Sequence, residues 1–461
     1  MAKYQKYAEY KDSGIEWLGE IPKSWNISRL KYIAEIFGRI GFRGYTVDDI
    51  VDEGEGALVL SPSNILGDQF SLDKKTYLSW KKYYESPEIM VGINDILLVK
   101  TGSTYGKSTI ILEKKEPMTI NPQMALLKKI KLESRFLYYL FQSTLYKAVI
   151  DISNTGSGMP TMTQENINSF PIPFPAFNEA LNIANFLDHE TAKIDNLIAK
   201  QEKLIELLKE KRQAVISHAV TKGLNPNAPM KDSGVEWLGE VPEHWVVSRF
   251  KYTSDRVIVG IAEAATHAYS ESGVPIIRST NIKEEGLMTE NILFIKQNFA
   301  DDNASKYIYE NDIVTVRTGY PGISSVVPKE MNKSHCFTNL VSTPKKSFNP
   351  YFLNEYLNSD LGKAYFELLG WGSAQKNISV PILQEFPIAF PEQQEQEIIV
   401  QFIRQQRFKF TELISKAEKN IKLMRERRTA LISAAVTGKI DVRHWHNPNK
   451  NNNQNNMELS A

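Results

Sequence analysis

The sequence is poor in cysteine, in net charge and in long apolar runs. Its 461 residues include one cysteine, Cys336, which excludes an intramolecular disulfide and a zinc site of four cysteines. Such cysteine usage fits a reducing cytosol. The amino-terminal segment MAKYQKYAEYKDSG has no apolar stretch typical of a signal peptide. No apolar run reaches the roughly 18 residues needed to span a bilayer. We therefore expect a cytoplasmic protein with no membrane association.

The chain also lacks a strong net charge. It carries 55 basic and 54 acidic residues, which gives a formal net charge of +1. Domains that bind nucleic acid by themselves are usually strongly basic. DNA binding by this chain therefore requires local clusters of basic residues, or a partner that shares the electrostatic work.

Catalytic motifs are missing as well. The segment TGSTYGKST (101–109) resembles a phosphate-binding loop, but only three residues separate Gly102 from Gly106 where the Walker A motif has four. The sequence contains no N-P-P-[YF] methyltransferase motif and no G-x-G-x-x-G fingerprint. The histidines show no metal-ligand spacing, and Cys336 beside His335 is expected to be an ordinary buried cysteine. We expect no catalytic residues and no metal site.

What the chain does have is a long internal repeat. KDSGIEWLGE begins at Lys11, and KDSGVEWLGE begins at Lys231. A second block repeats FPIPFP (170–175) as FPIAFP (386–391), and KLIELLKEKRQAVISHAVTKG (203–223) as KNIKLMRERRTALISAAVTGK (419–439). The segments between these blocks diverge. Nearly unchanged connectors around divergent inserts indicate a fixed, two-fold symmetric partner and two different targets.

Two long amphipathic helices are predicted. Apolar residues recur at helical spacing in Glu179–Val220 and in Glu395–Val436. Pro175 precedes the first helix, and Gly223 and Gly438 follow the two helices, as helix ends favour. Each helix would be about 60 Å long at 1.5 Å per residue. A helix this long must bury its apolar stripe, so we expect the two to pair as an antiparallel coiled coil.

The divergent segments read as mixed α/β structure. DILLVKTG (95–102) and DIVTVRTG (312–319) have the pattern of buried strands that end in a glycine turn. Leu132–Ile152 and Asn349–Leu369 are predicted helices. The predicted fold class is therefore mixed α/β (α+β) domains in two pseudo-symmetric copies, joined by two long antiparallel coiled-coil helices. The polar segment 444–461 is predicted to be a disordered tail.

Basic and aromatic residues cluster locally. Residues 100–131 hold seven lysines against two glutamates, and residues 71–85 combine four lysines with Trp80, Tyr83 and Tyr84. Lysine and arginine neutralise phosphates, and Arg, Asn, Ser and Thr side chains also reach base edges. An ordinary solvated surface remains the alternative for any single residue.

Taken together, the chain resembles the specificity subunit of type I restriction-modification systems. The resemblance is carried by KDSGIEWLGEIPKSW and KDSGVEWLGEVPEHW, by VKTGS and VRTGY, by GSGMPTMTQENINSFPIPFP and GSAQKNISVPILQEFPIAFP, and by the helix ends ISHAVTKG and ISAAVTGK. It covers about residues 10–443. It implies a first target-recognition domain at 1–177, a spacer helix at 178–222, a second recognition domain at 223–393, a second spacer helix at 394–437, and a carboxy-terminal extension at 438–461.

The resemblance also implies a function and partners. Each recognition domain would read one half of a bipartite site in double-stranded DNA, and the helices would set the spacer. Two methyltransferase subunits would dock on the repeated framework, and restriction subunits would complete the complex. S-adenosylmethionine, ATP and magnesium are expected on those partners, with no cofactor on this chain.

Base-contact positions are not fixed by a family motif, so the predicted DNA contacts come from the residues themselves. They are Asn64, Lys74, Lys75, Lys100, Ser103, Tyr105 and Lys107 in the first half, and Arg278, Asn281, Arg317 and Tyr320 in the second. Asn64 and Asn281 match across SPSNI and RSTNI, and they could equally cap turns. Three other functions stay open: a protein-only coiled-coil scaffold, a DNA-binding protein that acts alone, and an ATPase that depends on Lys107.

Overall fold

The computed structural model describes residues 4–67, 69–156, 158–262, 266–372 and 375–448. Contacts group the chain into two compact units, Met1–Gln201 with Lys419–Ala461, and Glu202–Glu418. Residues 444–448 contain turns but neither helix nor strand, and the rest of the predicted disordered tail lies outside the described residues. The division of the sequence into five linear segments stays a prediction.

The first unit contains two four-stranded sheets and three smaller strand pairs. Its strands are β1 (Tyr10–Asp12), β2 (Glu20–Pro22), β3 (Asn26–Arg29), β4 (Glu35–Gly38), β5 (Ile50–Val51), β6 (Gly56–Leu60), β7 (Ile65–Leu66), β8 (Gln69–Phe70), β9 (Tyr77–Ser79), β10 (Ile96–Val99), β11 (Ser108–Ile110), β12 (Met118–Ile120), β13 (Met124–Lys128) and β14 (Pro171–Phe174). One sheet has the order β11-β10-β13-β4 and the other β12-β6-β9-β5. In the second sheet β12 runs parallel to β6.

The second unit repeats this arrangement. Its strands are β15 (Met230–Asp232), β16 (Glu240–Pro242), β17 (Val246–Arg249), β18 (Ser254–Val259), β19 (Tyr269–Ser270), β20 (Val274–Ile277), β21 (Ile282–Lys283), β22 (Gly286–Leu287), β23 (Leu293–Ile295), β24 (Ile313–Thr315), β25 (Thr318–Gly319), β26 (Ser324–Val326), β27 (His335–Cys336), β28 (Leu340–Pro344), β29 (Lys376–Asn377) and β30 (Pro387–Phe390). The sheets β26-β24-β28-β18 and β27-β20-β23-β19 match the two sheets of the first unit strand for strand. The predicted pseudo-symmetric mixed α/β fold is therefore confirmed.

The helices include the two long ones that the repeats predict. They are α1 (Leu30–Ile33), α2 (Trp80–Tyr84), α3 (Ser134–Gln142), α4 (Thr144–Ile152), α5 (Gln164–Ser169), α6 (Phe177–Lys222), α7 (Gln297–Asp302), α8 (Pro350–Leu357), α9 (Asp360–Leu369), α10 (Val380–Gln384) and α11 (Gln393–Val436). Among the residues described, no helix combines the length and apolar character needed to cross a bilayer.

The predicted helices at 132–152 and 349–369 are each two helices. In the first unit the Ser143 Oγ accepts a hydrogen bond from the Tyr146 N–H (3.3 Å) and begins α4. In the second unit the Ser359 Oγ accepts from the Gly362 N–H (3.2 Å) and begins α9. A serine in the amino-terminal cap position favours a new helix start over continuation of the previous helix. The prediction of single helices was therefore wrong.

Within the first unit, the first half of α6 runs antiparallel to the carboxy-terminal end of α11 and the segment that follows it. The Arg428 guanidinium pairs with the Asp195 carboxylate (2.9 Å), and the Asn182 amide donates to the Arg443 carbonyl (3.3 Å). As the numbering rises along α6, it falls along the segment that α6 contacts. Antiparallel packing is thereby confirmed within this unit.

One hydrophobic core of each unit contains a fully buried tryptophan that follows the repeated hairpin. The Trp25 Nε1 donates to the Glu179 carboxylate (2.9 Å) at the start of α6, and the Trp245 Nε1 donates to the Glu395 carboxylate (3.2 Å) at the start of α11. In the second unit, the hydrophobic core that contains Trp245 also contains Ile216 of α6. The same tryptophan–carboxylate bond thus fixes the same hairpin in both copies, which explains why these residues repeat.

Candidate nucleic-acid interface

A short loop joins β10 to β11 in the first unit and carries several of the predicted contacts. Its start is held by another segment: the Gly102 N–H donates to the Pro160 carbonyl (3.1 Å), and the Met162 N–H donates to the Lys100 carbonyl (2.9 Å). Gly102 and Gly106 have φ values of +108° and +79°, which favour glycine. The loop is therefore a defined turn and not an open phosphate-wrapping loop.

Lys100 is a half-buried cation where β10 ends. Its ammonium group has no ion pair or hydrogen bond with any described residue, and burial lowers its pKa. A Cβ placed on Gly38 would lie 3.2 Å from the Lys100 Nζ, so strand β4 packs closely against it. A partly desolvated charge without a counter-ion is unfavourable, so an external anion would stabilise it.

Two other predicted contacts of the first unit already have protein partners. The Lys75 ammonium lies 3.3 Å from the Glu53 carboxylate and 3.4 Å from that of Glu116. The hydrogen bond with Glu53 raises the pKa of Lys75. The half-buried Tyr105 donates its hydroxyl to the Ile150 carbonyl (2.7 Å). These two side chains have structural partners in the unit itself.

Three predicted contacts of the first unit remain accessible. Ser103 is exposed at the tip of the β10–β11 loop, and Lys107 is half-buried near its end. Lys74 is exposed on a different segment. Together with Lys100, Ser103 and Lys107 place two cations and a hydroxyl on one short loop.

Asn64 lies in a 3₁₀ turn, Pro62–Asn64, and is only 2% exposed. Its Oδ1 accepts from the Ser61 N–H (2.9 Å), and its Nδ2 donates to the carbonyls of Ser71 (3.1 Å) and Lys74 (2.8 Å). The amide therefore ties one turn to a neighbouring loop.

Asn281 repeats this role in the second unit, where it is 4% exposed. Its Oδ1 accepts from the Arg278 N–H (3.0 Å), and its Nδ2 donates to the Met288 carbonyl (3.1 Å). The structure supports turn capping over base contact for both Asn64 and Asn281, because both amides are buried and engaged with the backbone. The sequence match between the two reflects a shared turn.

Arg278 and Arg317 flank one buried residue of the second unit, Asn339. The Asn339 Oδ1 accepts from the Ser279 hydroxyl (2.7 Å) and from the Arg317 N–H (3.4 Å), and its Nδ2 donates to the Phe337 carbonyl (2.9 Å). This amide connects the end of β20 to the end of β24. The structure thereby brings together two arginines that are distant in the sequence.

Both guanidinium groups lack protein partners among the described residues. The Nε atoms of Arg278 and Arg317 are buried without a hydrogen-bond partner, and neither side chain forms an ion pair there. By contrast, the half-buried Arg256 of the same unit pairs with the Asp312 carboxylate (3.2 Å). Guanidinium groups in structural roles are normally paired, so these two are candidates for an external ligand.

Tyr320 is 81% exposed and follows strand β25. This strand pairs with β29, where Gly319 lies opposite Lys376. Trp371, also largely exposed, forms a β-bridge with Asn377 on the other side of β29. An exposed aromatic ring with a fixed backbone beside it can stack on a base or pack on a sugar.

The two units carry different side chains at matching positions. Lys100 in VKTG corresponds to Arg317 in VRTG, and Ser61 in SPSNI corresponds to Arg278 in RSTNI. In the second unit Asn339, which lies before β28, bonds to the ends of β20 and β24. In the first unit the segment 121–123, which lies before β13, bonds through its backbone to the ends of β6 and β10. Sequence reasoning missed both of these connections, because only their hydrogen bonds identify them.

The Cys336 thiol and the His335 ring are fully buried. Burial raises the pKa of Cys336 to about 12 and lowers that of His335. The prediction of an ordinary buried cysteine is confirmed. Among the residues described, no three His, Cys, Asp or Glu side chains cluster as metal ligands would.

Comparison with known proteins identifies the family. The family model for the type I restriction modification DNA specificity domain matches residues 22–207 and 264–423. The chain is 25% identical to the MjaVIII specificity subunit of Methanocaldococcus jannaschii, over 77% of this chain and 81% of that protein. It is 24% identical to the putative MjaX specificity subunit of the same organism, over 96% and 99%.

Solved structures share the fold. A chain from a type I restriction-modification system, solved in a study of complex assembly and conformational transition, superposes with a TM-score of 0.62. It is 16% identical and is matched over 98% of its length, against 90% of this chain. The HsdS subunit of Thermoanaerobacter tengcongensis superposes with a TM-score of 0.50 at 13% identity, over 91% of this chain and 98% of that one. The chain belongs to the type I restriction modification DNA specificity family.

Proposed function

We propose that this chain is the DNA-recognition subunit of a type I restriction-modification complex, and that each unit reads one half of a bipartite target. The observation that carries the proposal is that the same framework occurs in both units, with different side chains at matching positions. The tryptophan–carboxylate bonds and the sheet orders repeat, whereas Ser61 and Lys100 are replaced by Arg278 and Arg317. A repeated framework fits two copies of one partner, and different side chains fit two different half-sites.

The side chains on these surfaces suit DNA. Lysine and arginine neutralise backbone phosphates, and arginine and serine also donate hydrogen bonds to base edges in the major groove. Lys100, Arg278 and Arg317 are half-buried cations without counter-ions among the residues described. A phosphate or a base acceptor would supply the missing partner.

The proposal includes partners and a division of labour. Two methyltransferase subunits dock on the repeated framework, restriction subunits complete the assembly, and the long helices set the spacer between half-sites. S-adenosylmethionine, ATP and magnesium are bound by those partners, and this chain recognises DNA without a catalytic residue of its own. The assembly acts in the cytoplasm. The names of the two relatives reported above, both specificity subunits, support this assignment.

The near-neutral net charge supports the idea that partner subunits contribute to the affinity for DNA. A chain with 55 basic and 54 acidic residues gains little from long-range attraction to a polyanion. Methyltransferase subunits that clamp the duplex would supply the missing non-specific affinity. We therefore expect tight, specific binding from the complex and weak binding from the isolated chain.

The test is co-expression with the methyltransferase subunit encoded nearby, followed by single-molecule mapping of N6-methyladenine. We expect a split motif with two unlike halves. Exchange of residues 33–170 for the corresponding segment of a relative is the matched control, and it should change one half-site only. A soluble complex that methylates no DNA would instead support a protein-only scaffold, and failure to form any complex would contradict the proposed partners.

A further inference from the structure

The guanidinium groups of the two arginines near Asn339 share an uncommon environment. The Nε of each is buried and has no hydrogen-bond partner, and neither side chain has an ion pair with a described residue. Both residues as a whole are half-buried, and the two strand ends that carry them are joined through the fully buried Asn339. The backbone beside the two arginines is therefore held by the fold, whereas their guanidinium groups are not neutralised by the described residues.

The burial of Nε decides which edge of each guanidinium is available. In both Arg278 and Arg317, Nε is the only side-chain nitrogen that is buried without a partner among the described residues. The two terminal nitrogens make no hydrogen bond there either, so they reach solvent. The terminal N–H donors of each side chain are thus accessible to a ligand, whereas its Nε is not.

We propose that Arg278 and Arg317 each read a guanine in the half-site recognised by the second unit. We call their two planar guanidinium groups the paired fork. This inference rests on the proposed DNA-recognition function. Two parallel N–H donors match the N7 and O6 acceptors on the major-groove edge of guanine, which is the commonest specific arginine contact with DNA. Phosphate also accepts such a pair, but a flexible exposed side chain serves that purpose without a buried connection such as Asn339.

The first unit offers a contrast at the same two positions. Ser61 takes the place of Arg278, and its hydroxyl lies 2.7 Å from that of Ser63. Lys100 takes the place of Arg317, and an ammonium group is a point charge without a planar fork. The paired fork is therefore specific to the second unit, and the two half-sites are read by different chemistry.

The test uses the complex with the methyltransferase subunit and two substitutions, Arg278→Lys and Arg317→Lys. Both keep the positive charge and remove the planar fork. We expect N6-methyladenine mapping to show lost preference for guanine at one position per substitution, with discrimination reduced about tenfold to one-hundredfold. The other half-site should stay unchanged. Lys329→Gln, which removes an exposed charge from the same unit, is the control and should leave the motif intact.

A second measurement uses the unaltered protein and altered DNA. Replacing guanine by 7-deazaguanine removes the N7 acceptor, and we expect about a tenfold loss of binding at the contacted position in the second half-site. A second half-site without any G·C pair would overturn the inference, as would unchanged discrimination in both arginine variants. A uniform loss of affinity across sequences, with a smaller salt dependence, would assign the pair to phosphates instead. In each of these cases a split wild-type motif would still support the proposed function, whereas the absence of any motif would reject that function itself.

Discussion

Glu179 offers the sharpest test of how the repeated framework is held together. This residue lies in the first turn of α6, and its Oε1 accepts hydrogen bonds from the Trp25 Nε1 (2.9 Å) and from the Tyr7 hydroxyl (2.8 Å). Both donors are buried. Burial, followed by the bond to Glu179, raises the pKa of Tyr7, so the phenol stays protonated as a donor. One carboxylate therefore satisfies two buried groups.

The second unit supplies a matched comparison. The Glu395 carboxylate accepts from the buried Trp245 Nε1 (3.2 Å) and from the His244 Nε2 (2.8 Å). The His244 side chain is 56% exposed, so water replaces its partner when the carboxylate is removed. Glu179→Ala leaves two buried donors without an acceptor and should lower the free energy of unfolding by about 2–4 kcal/mol. Glu395→Ala leaves one such donor, and the expected loss is about 1–2 kcal/mol.

The assay is hydrogen exchange with mass spectrometry, which reports on each unit separately where a single melting temperature does not. Peptides that cover residues 20–30 should lose more protection in Glu179→Ala than peptides that cover 240–250 lose in Glu395→Ala. Glu179→Gln keeps one acceptor oxygen and should restore more than half of the loss. Equal losses in the two alanine variants, or a larger loss in the second unit, would refute this account.

Four further predictions follow from the described contacts and the proposed function. Lys100→Ala should reduce the slope of log K against log salt for the complex by about 0.9, because one phosphate contact is lost; Lys75→Ala should leave the slope unchanged, since Glu53 and Glu116 already neutralise this lysine. Asn64→Ala should destabilise the first unit by about 1–3 kcal/mol in urea unfolding, because its amide satisfies buried backbone groups. The Cys336 thiol, whose pKa is raised to about 12 by burial, should react with a thiol reagent at pH 8 only after unfolding; fast reaction of the native chain would contradict its burial. Removing one heptad from both long helices should shorten the spacer in the methylated motif and leave the half-site bases unchanged.

Sequence patterns predicted the elements that depend on local order. The periodicity of apolar residues predicted α6 and α11, and short apolar runs before a glycine turn predicted β10 and β24. These signals are reliable because hydrophobic spacing and turn residues act over a few positions. The breaks at Ser143 and Ser359 were missed, since a serine inside an apolar helical pattern does not reveal by itself that it begins a new helix.

Only part of the candidate DNA interface could be predicted from the sequence, for a related reason. By residue type alone, Lys75 and Tyr105 were as good candidates for DNA contact as Lys100. The structure shows that both side chains already have partners from other parts of the chain. Asn64 and Asn281 match across the halves, and that match reflects a buried turn. Whether a polar side chain is free for a ligand depends on which distant groups already occupy it.

The duplication, the class of fold and the positions where the two halves differ could all be predicted without coordinates, because they are visible as matches and mismatches along one chain. The three-dimensional fold was needed to show which residues meet. It linked Ser279, the neighbour of Arg278, to the Arg317 backbone through Asn339. It also closed the first unit by bringing the Tyr10 hydroxyl to the Gly438 carbonyl (3.0 Å) near the other end of the chain. Such contacts arise from sheet pairing and core packing between distant segments, and no local pattern encodes them.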